Sequence, residues 1–285
     1  MDFLEGISQT VAAALAEDLG DGDITAQLVD AEETAAAQVL TREPCVVCGR
    51  PWVDEVFRQV DPDISITWLV TEGEQVPGDT VLFRLTGRAR SLLTAERSAL
   101  NFLQTLSATA TRTADFVSLI DHTDTKLLDT RKTIPGLRMA QKYAVRTGGG
   151  ENHRIGLFDA FLIKENHIAA AGSITKAIMS ARALYPERRL EIEVEDLSEY
   201  REALQGAPDW IMLDNFSLDD LAAAVAGKND AVRLEASGGI EDANDLRRIA
   251  ETGVDYISVG ALTKHVQATD LSMRFVDDKT AGETT

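Results

Sequence analysis

Cysteine, lysine and long apolar runs are all scarce in this chain of 285 residues. Its only cysteines, Cys45 and Cys48, form a lone CxxC with no second pair and no nearby histidine to complete a tetrahedral zinc site. They read as two small core or turn residues. No apolar stretch approaches the roughly 20 residues that would span a bilayer, so no membrane partner is expected. The opening MDFLEGISQT lacks the basic and apolar regions of a signal peptide, which predicts a cytoplasmic protein. Lysine numbers 8 against 20 arginines, and the formal net charge is −19. A surface this acidic offers no basic face to nucleic acid. It suggests instead a protein working in concentrated salt, where repulsion is screened within roughly 3 Å at 1 M.

What is present is a chain 44% apolar, long enough to bury at least one full core. Residues 126–167 gather eight Lys or Arg against four acids, reversing the sign of the whole. Such a segment in an acidic chain predicts an anion site, although solvated helix charges account for part of it. From residue 126 short apolar strands alternate with amphipathic, alanine-rich helices: KLLDT (126–130), FLIK (161–164), LEIEVE (190–195), WIMLD (210–214), VRLEAS (232–237) and YISVG (256–260). Near-continuous apolar strands separated by helices signal a parallel sheet covered by helices, and six in a row favour a (β/α) barrel.

In such a barrel every strand's C-terminal end faces one rim, where active sites are built. The ends here are Arg131 and Lys132, Lys164, Glu195, Asp214, Ser237 with Gly238 and Gly239, and Gly260. The runs EASGGI and SVGAL offer backbone N–H groups to a phosphate, though a tight turn also uses glycine. Glu195 and Asp214 are candidates to hold Mg²⁺ together with substrate phosphates, and Glu193, of the same strand parity, keeps that choice open. Arg131, Lys132, Arg154 and Lys164, with His153, exceed the needs of one phosphate and suit a second anion bearing more than one carboxylate. His122, His167 and His265 read as structural.

The stretch LLDTRKTIPGLRMAQKYAVRTGGGENHRIGLFDAFLIKENHI closely resembles the signature core of the quinolinate phosphoribosyltransferases. EDLGDGDIT, TAERSALNFLQTLSATAT, EVED, IMLDNF, EASGGI and VGALT follow the same family's order, so the resemblance covers most of the chain. It implies an N-terminal α/β domain (residues 1–110, joined by about 268–280) and an incomplete α/β barrel of six or seven strands (111–267). It implies a homodimer, with each barrel completed by the neighbour's N-terminal domain. The implied reaction joins quinolinate to phosphoribosyl pyrophosphate with Mg²⁺, giving nicotinate mononucleotide, pyrophosphate and CO₂ in de novo NAD synthesis. By resemblance Arg131, His153, Arg154 and Lys164 surround the quinolinate carboxylates, and Arg97 is lent to the neighbouring site. Lys132 and Lys164 reach the pyrophosphate, Glu195 and Asp214 hold the metal and ribose, and Ser237, Gly238, Gly239, Gly260 and Ala261 cradle the 5′-phosphate.

Three rival readings remain at this level. One is a related phosphoribosyltransferase-like protein with another acceptor, nicotinate or of the molybdate-operon type. Another is a Schiff-base aldolase using Lys164, and the third a non-catalytic sensor of a phosphorylated ligand. In the N-terminal half, VTEGEQVPGDTVLFRLTG reads as strand, turn, strand, similar to biotinyl-type modules but with no lysine in the turn to modify. The acids of LGDGDIT read as turn and cap residues, and the polar tail DDKTAGETT as disordered.

Overall fold

Two compact units make up the computed structural model, which describes residues 3–240 and 243–276. The expected disorder of DDKTAGETT falls outside the described residues. The first unit runs up to Arg112 and includes Ile134–Gly148 and the described residues from His265 on. Its elements are α1 (Ile7–Leu19), β1 (Thr34–Thr41), β2 (Cys45–Val46), α2 (Arg50–Val60), β3 (Ser65–Trp68), β4 (Gln75–Val76), β5 (Val81–Arg88) and α3 (Ala89–Ser118), whose last turns belong to the second unit. A strand at Leu271–Val276 returns to pair antiparallel with β1, making a four-stranded sheet in the order Leu271–Val276, β1, β5, β3.

Apolar spacing explains α2. Trp52, Val53, Val56 and Phe57 recur on one face and are all buried, and Pro51 sits in the first turn, where its missing N–H costs no hydrogen bond. Phe57 meets Phe83 of β5 edge-on at 6.4 Å, and Trp68 packs tilted on the same ring at 4.3 Å. Burying the Phe57 and Phe83 rings contributes about 2–3 kcal/mol each.

The sequence around EGEQVPGD departs from the strand, turn, strand reading. β4 is only two residues long and pairs with β2, whereas β5 pairs with β1 and β3. Asp23 takes the expected turn role, accepting from the N–H groups of Thr25 (3.0 Å) and Ala26 (2.9 Å). Cys45 and Cys48 are free and buried, and burial pushes both thiols up, well up for Cys48. That environment suits packing rather than redox chemistry.

Residues 134–148, expected within the barrel domain, group with the first unit instead. They carry α4 (Arg138–Thr147), whose Tyr143 lies 5.3 Å from the ring of Trp52.

The second unit contains the six expected strands: β6 (Lys126–Leu128), β7 (Ala160–Ile163), β8 (Arg189–Val194), β9 (Trp210–Asp214), β10 (Arg233–Ser237) and β11 (Tyr256–Ser258). All neighbours are parallel, in the order β6, β11, β10, β9, β8, β7. No pairing joins β6 to β7 among the described residues; Glu151 alone bridges to Leu128 on that flank. The barrel is therefore incomplete.

Between the strands run α5 (Glu165–Ala171), α6 (Ile174–Leu184), α7 (Leu197–Gln205), α8 (Leu218–Gly227) and α9 (Ala243–Ala250), and α10 (Ala261–Lys264) follows β11. Side-chain caps start three of them: Ser173 accepts from Lys176 N, Asp196 from Ser198 and Glu199 N, and Ser217 from Asp220 N. Leu190, Ile192 and Val194, alternating along β8, are fully buried with Ile211, Leu213 and Leu234 of its neighbours. The other parity of β8, β9 and β10 carries Glu191 and Glu193, Met212 and Asp214, and Glu235 and Ser237. Register sets Glu193 opposite Met212, Glu235 opposite Met212 and Ser237 opposite Asp214, so polar side chains collect at the strands' C-terminal ends. No helix among the described residues is long and apolar enough to cross a membrane.

Candidate active site

A cavity of about 660 Å³ opens at those strand ends, and every residue lining it belongs to the second unit. One side is cationic: Arg131 and Lys132 follow β6, His153 and Arg154 precede β7, and Lys164 stands between β7 and α5. Another side is built from Ser237, Gly238 and Gly239 after β10 and from Gly260 and Ala261 after β11. Glu193, Asp214 and Glu235 add carboxylates to the wall.

Local geometry explains how these side chains are held. The buried carboxylate of Asp129 accepts from the backbone N of His153 at 2.9 Å and from Asn152 Nδ2 at 2.6 Å, fixing the NHR segment. Asp159 accepts from Ile155 N (2.8 Å) and Gly156 N (2.9 Å), closing the loop behind Arg154. Burial, and then the neighbouring charge of Arg131, hold the Arg154 guanidinium below its ordinary value, as expected where cations crowd before an anion arrives. His167 accepts from the backbone N of Lys164 through Nδ1 at 3.0 Å, which sets the chain direction at the start of α5. That is the structural role expected of it. Lys164 Nζ is ion-paired with Glu193 Oε2.

Glycine is required at one position of the loops and makes room at another. Gly238 has φ +103, and a Cβ there would lie 2.1 Å from Asn215 Oδ1. At Gly260 a Cβ would come within 2.9 Å of Lys132 Cδ, so the bare backbone lets that lysine lie across the loop. Asn215, itself at φ 55, donates its backbone N to Ser237 O (2.9 Å) and its Nδ2 to Asp214 Oδ2 (2.9 Å).

One residue expected at this rim does not line the cavity. Glu195 is replaced on its wall by Glu193, and the reason is the end of the strand. β8 stops at Val194, so Glu195 leaves the alternation that carries Glu193 inward, and its side chain is exposed beside Glu165, which raises its carboxyl above the usual range. Glu193 and Asp214 are hard oxygen donors at the strand ends, while the third lining carboxylate, Glu235, is turned to His153; their donor chemistry fits a Mg²⁺ shared with phosphates. Arg97 is exposed on α3 in the first unit and is not among the lining residues. Thr130, Asn215 and Lys264 line the cavity without having been singled out.

Beneath the cationic side lies a cluster that strand-end reasoning missed. His153 Nε2 is 2.7 Å from Glu191 Oε2 and 3.4 Å from Glu235 Oε2, and all three residues are buried. Its signal in the sequence is a carboxylate flanked by buried apolar residues inside each of two strands, Glu191 in LEIEV and Glu235 in RLEAS.

The comparisons with known proteins agree with this arrangement. Family models described as "Quinolinate phosphoribosyl transferase, N-terminal domain" and "Quinolinate phosphoribosyl transferase, C-terminal domain" match residues 23–107 and 109–274. A Synechocystis protein named probable nicotinate-nucleotide pyrophosphorylase, carboxylating, is 43% identical over 92% of this chain and 90% of its own. The Mycobacterium leprae nicotinate-nucleotide pyrophosphorylase, carboxylating, is 42% identical over 93% of this chain and 95% of its own. The solved nicotinate-nucleotide pyrophosphorylase of Francisella tularensis superposes with a TM-score of 0.93 at 51% identity, covering 96% of this chain and 97% of that one. With both domain models matched in order and a cavity assembled from the family's motifs, the chain belongs to the quinolinate phosphoribosyltransferase family.

Proposed function

We propose that the chain transfers the phosphoribosyl group of phosphoribosyl pyrophosphate to quinolinate with loss of CO₂, giving nicotinate mononucleotide and pyrophosphate for NAD synthesis. The observation that carries this reading is a single cavity with a five-residue cationic side, a glycine-rich side and three carboxylates, Glu193, Asp214 and Glu235. Those are the chemistries a dicarboxylate, a ribose 5′-phosphate and a metal-bound pyrophosphate require.

In this reading Arg131, His153, Arg154 and Lys164 hold the two carboxylates and aim the ring nitrogen at the ribose C1. Ser237, Gly238, Gly239, Gly260 and Ala261 fix the 5′-phosphate, so both reactants are confined at the reacting distance and lose little further entropy on reaction. Lys132 faces the pyrophosphate, where charge develops as the C1–O bond breaks. Glu193 and Asp214 hold Mg²⁺ and the ribose end, and the ion supplies charge neutralisation on the leaving group. Glu193 replaces Glu195 in this role.

Bond formation leaves the ring nitrogen positive. The adjacent carboxylate then departs as CO₂, its bonding electron pair stays on the ring carbon beside that nitrogen, and a proton completes the product. No covalent nucleophile enters the scheme, and the ion pair of Lys164 with Glu193 favours a binding role for Lys164 over that of a Schiff-base amine. The protein acts as a cytoplasmic homodimer, with exposed Arg97 of one protomer entering its neighbour's site.

The test is release of labelled CO₂ from carboxyl-labelled quinolinate with phosphoribosyl pyrophosphate and Mg²⁺, with nicotinate as the parallel acceptor. Label released from quinolinate, with no mononucleotide formed from nicotinate, is the expected result. Binding of phosphoribosyl pyrophosphate without turnover of quinolinate overturns the acceptor assignment.

A further inference from the structure

We propose that Glu191 and Glu235 are positioning residues that commit Nε2–H of His153 to the barrel interior, so that His153 meets the substrate as a cation and only through Nδ1. This rests on the reading of the cavity as a dicarboxylate site, and it assigns work to two buried acids, Glu235 in the cavity lining and Glu191 outside it.

An ionised carboxylate accepts hydrogen bonds and does not donate them, so with Glu191 ionised the imidazole nitrogen 2.7 Å from its Oε2 carries the shared hydrogen. The second acid, Glu235, approaches the same nitrogen at 3.4 Å. The ring cannot readily turn away. It packs nearly perpendicular to the Trp210 ring, at 6.3 Å and 81°, and its backbone N is held by Asp129 at 2.9 Å.

The charges facing His153 come from every side of the barrel. Asp129 and Arg131 come from the β6 side, Arg154 from its own segment, Lys164 from the end of β7, Arg189, Glu191 and Glu193 from β8, Asp214 from β9 and Glu235 from β10. Arg189 is turned to the Trp210 ring, 4.2 Å from its centroid, and Lys164 is paired with Glu193. The only cation within 4 Å of the two buried acids among the described residues is therefore His153 itself. Burial, and then the facing Glu235, push the Glu191 carboxyl up to about 7 against the pull of His153; two desolvated carboxylates need a positive charge, and a second proton on the imidazole supplies the nearest one. Burial alone pulls the imidazole down, but the hydrogen bonds to Glu191 and Glu235 outweigh it and raise it to about 9.

The consequence is chemical. An imidazolium with one N–H already committed has no lone pair, so His153 cannot serve as a general base. It is a fixed donor to a carboxylate, sharing that carboxylate with Arg131, Arg154 and Lys164.

The experiment is ¹⁵N NMR of the ligand-free full-length protein labelled at its 4 histidines, with His153→Gln assigning the resonance. Both ring nitrogens of His153 are expected to be protonated at neutral pH, with a midpoint near 9. Glu191→Gln and Glu235→Gln are each expected to lower that midpoint. In these variants the KM for quinolinate should rise above the new midpoint by about tenfold per pH unit. The KM for phosphoribosyl pyrophosphate should not follow it. A merely structural role would move both constants together at every pH. His153 neutral at pH 7 in the wild type, variants whose quinolinate KM follows the wild-type pH profile, or a stoichiometric divalent metal on these three side chains would each overturn the proposal. If the variants fail to fold, the wild-type spectrum still decides. Absence of CO₂ release with a high His153 midpoint would sink the acceptor reading, and with it the donor role toward quinolinate, while the commitment of Nε2–H to the two acids would stand.

Discussion

At the scale of single residues, the exchange of Glu195 for Glu193 is the sharpest discriminator, because the two acids share a strand parity and differ in where the strand ends. Glu193→Gln is expected to lower kcat by about 10² or more, the scale of removing one preorganised electrostatic group. Glu195→Gln, on an exposed side chain beside Glu165, should stay within about twofold. Steady-state kinetics of the two variants separates the assignments, and the reverse order of effects would restore Glu195. Away from the site, Asp61 offers a pH signature. Hydrogen bonds from Arg88 and Ser91 hold its carboxyl down at about 2, below the ordinary 3.8. A depressed acid stabilises the fold above its unfolded value and loses that contribution as pH falls through the folded one. Asp61→Asn should therefore lower the denaturation midpoint at neutral pH, and the gap to wild type should close between about pH 4 and pH 2. An unchanging gap across that window would mean that the pair carries no linkage.

At the scale of elements, the loops after β10 and β11 carry the phosphate reading, and their two glycines make different demands. Alanine at Gly238 meets both a left-handed backbone and the Asn215 side chain at 2.1 Å. Gly238→Ala should raise the KM for phosphoribosyl pyrophosphate strongly and destabilise the fold by about 1–3 kcal/mol. Gly260→Ala displaces only the flexible Lys132 side chain, so kcat should fall while thermal stability stays near wild type. Equal losses of stability in both variants would argue that these loops are structural turns. The same elements show what a sequence can disclose. All six strands were legible because a buried parallel strand is an almost unbroken apolar run with a polar residue at its end. Glu193 could not be separated from Glu195 because parity applies only while a residue remains in the strand. Arg138–Thr147 could not be assigned to the first unit because Tyr143 finds its partner in Trp52, 91 positions earlier, and no local pattern records that pairing. Glu191 and Glu235 went unread for another reason: inside an apolar run a carboxylate looks like an interruption until the buried histidine that matches it is known.

At the scale of the molecule, two features of the sequence remain to be given a physical role: Arg97, exposed on α3, and the net charge of −19. If Arg97 serves a neighbour's cavity, Arg97→Ala and Lys132→Ala should each abolish activity, while a mixture of the two should recover part of it. One of the two sites in each hybrid dimer would then hold both intact residues. With random exchange half of the dimers are hybrid, so about a quarter of all sites regain function. Verified subunit exchange without any recovery would remove the shared site and confine Arg97 to its own surface. The acidic surface makes a separate claim. Like charges repel across a folded surface, and that repulsion is screened as the Debye length shrinks from about 10 Å at 0.1 M to about 3 Å at 1 M. The unfolded chain spreads the same charges further apart, so screening favours the folded state. The thermal midpoint should therefore rise between dilute buffer and molar potassium chloride. Activity should rise less, because salt also screens the attraction of two anionic substrates to the cationic side of the cavity. A midpoint that is flat or falling in potassium chloride would show that the surface acids are already compensated. In that case the cation-rich 126–167 segment, rather than the habitat, would be the meaningful feature of the charge pattern.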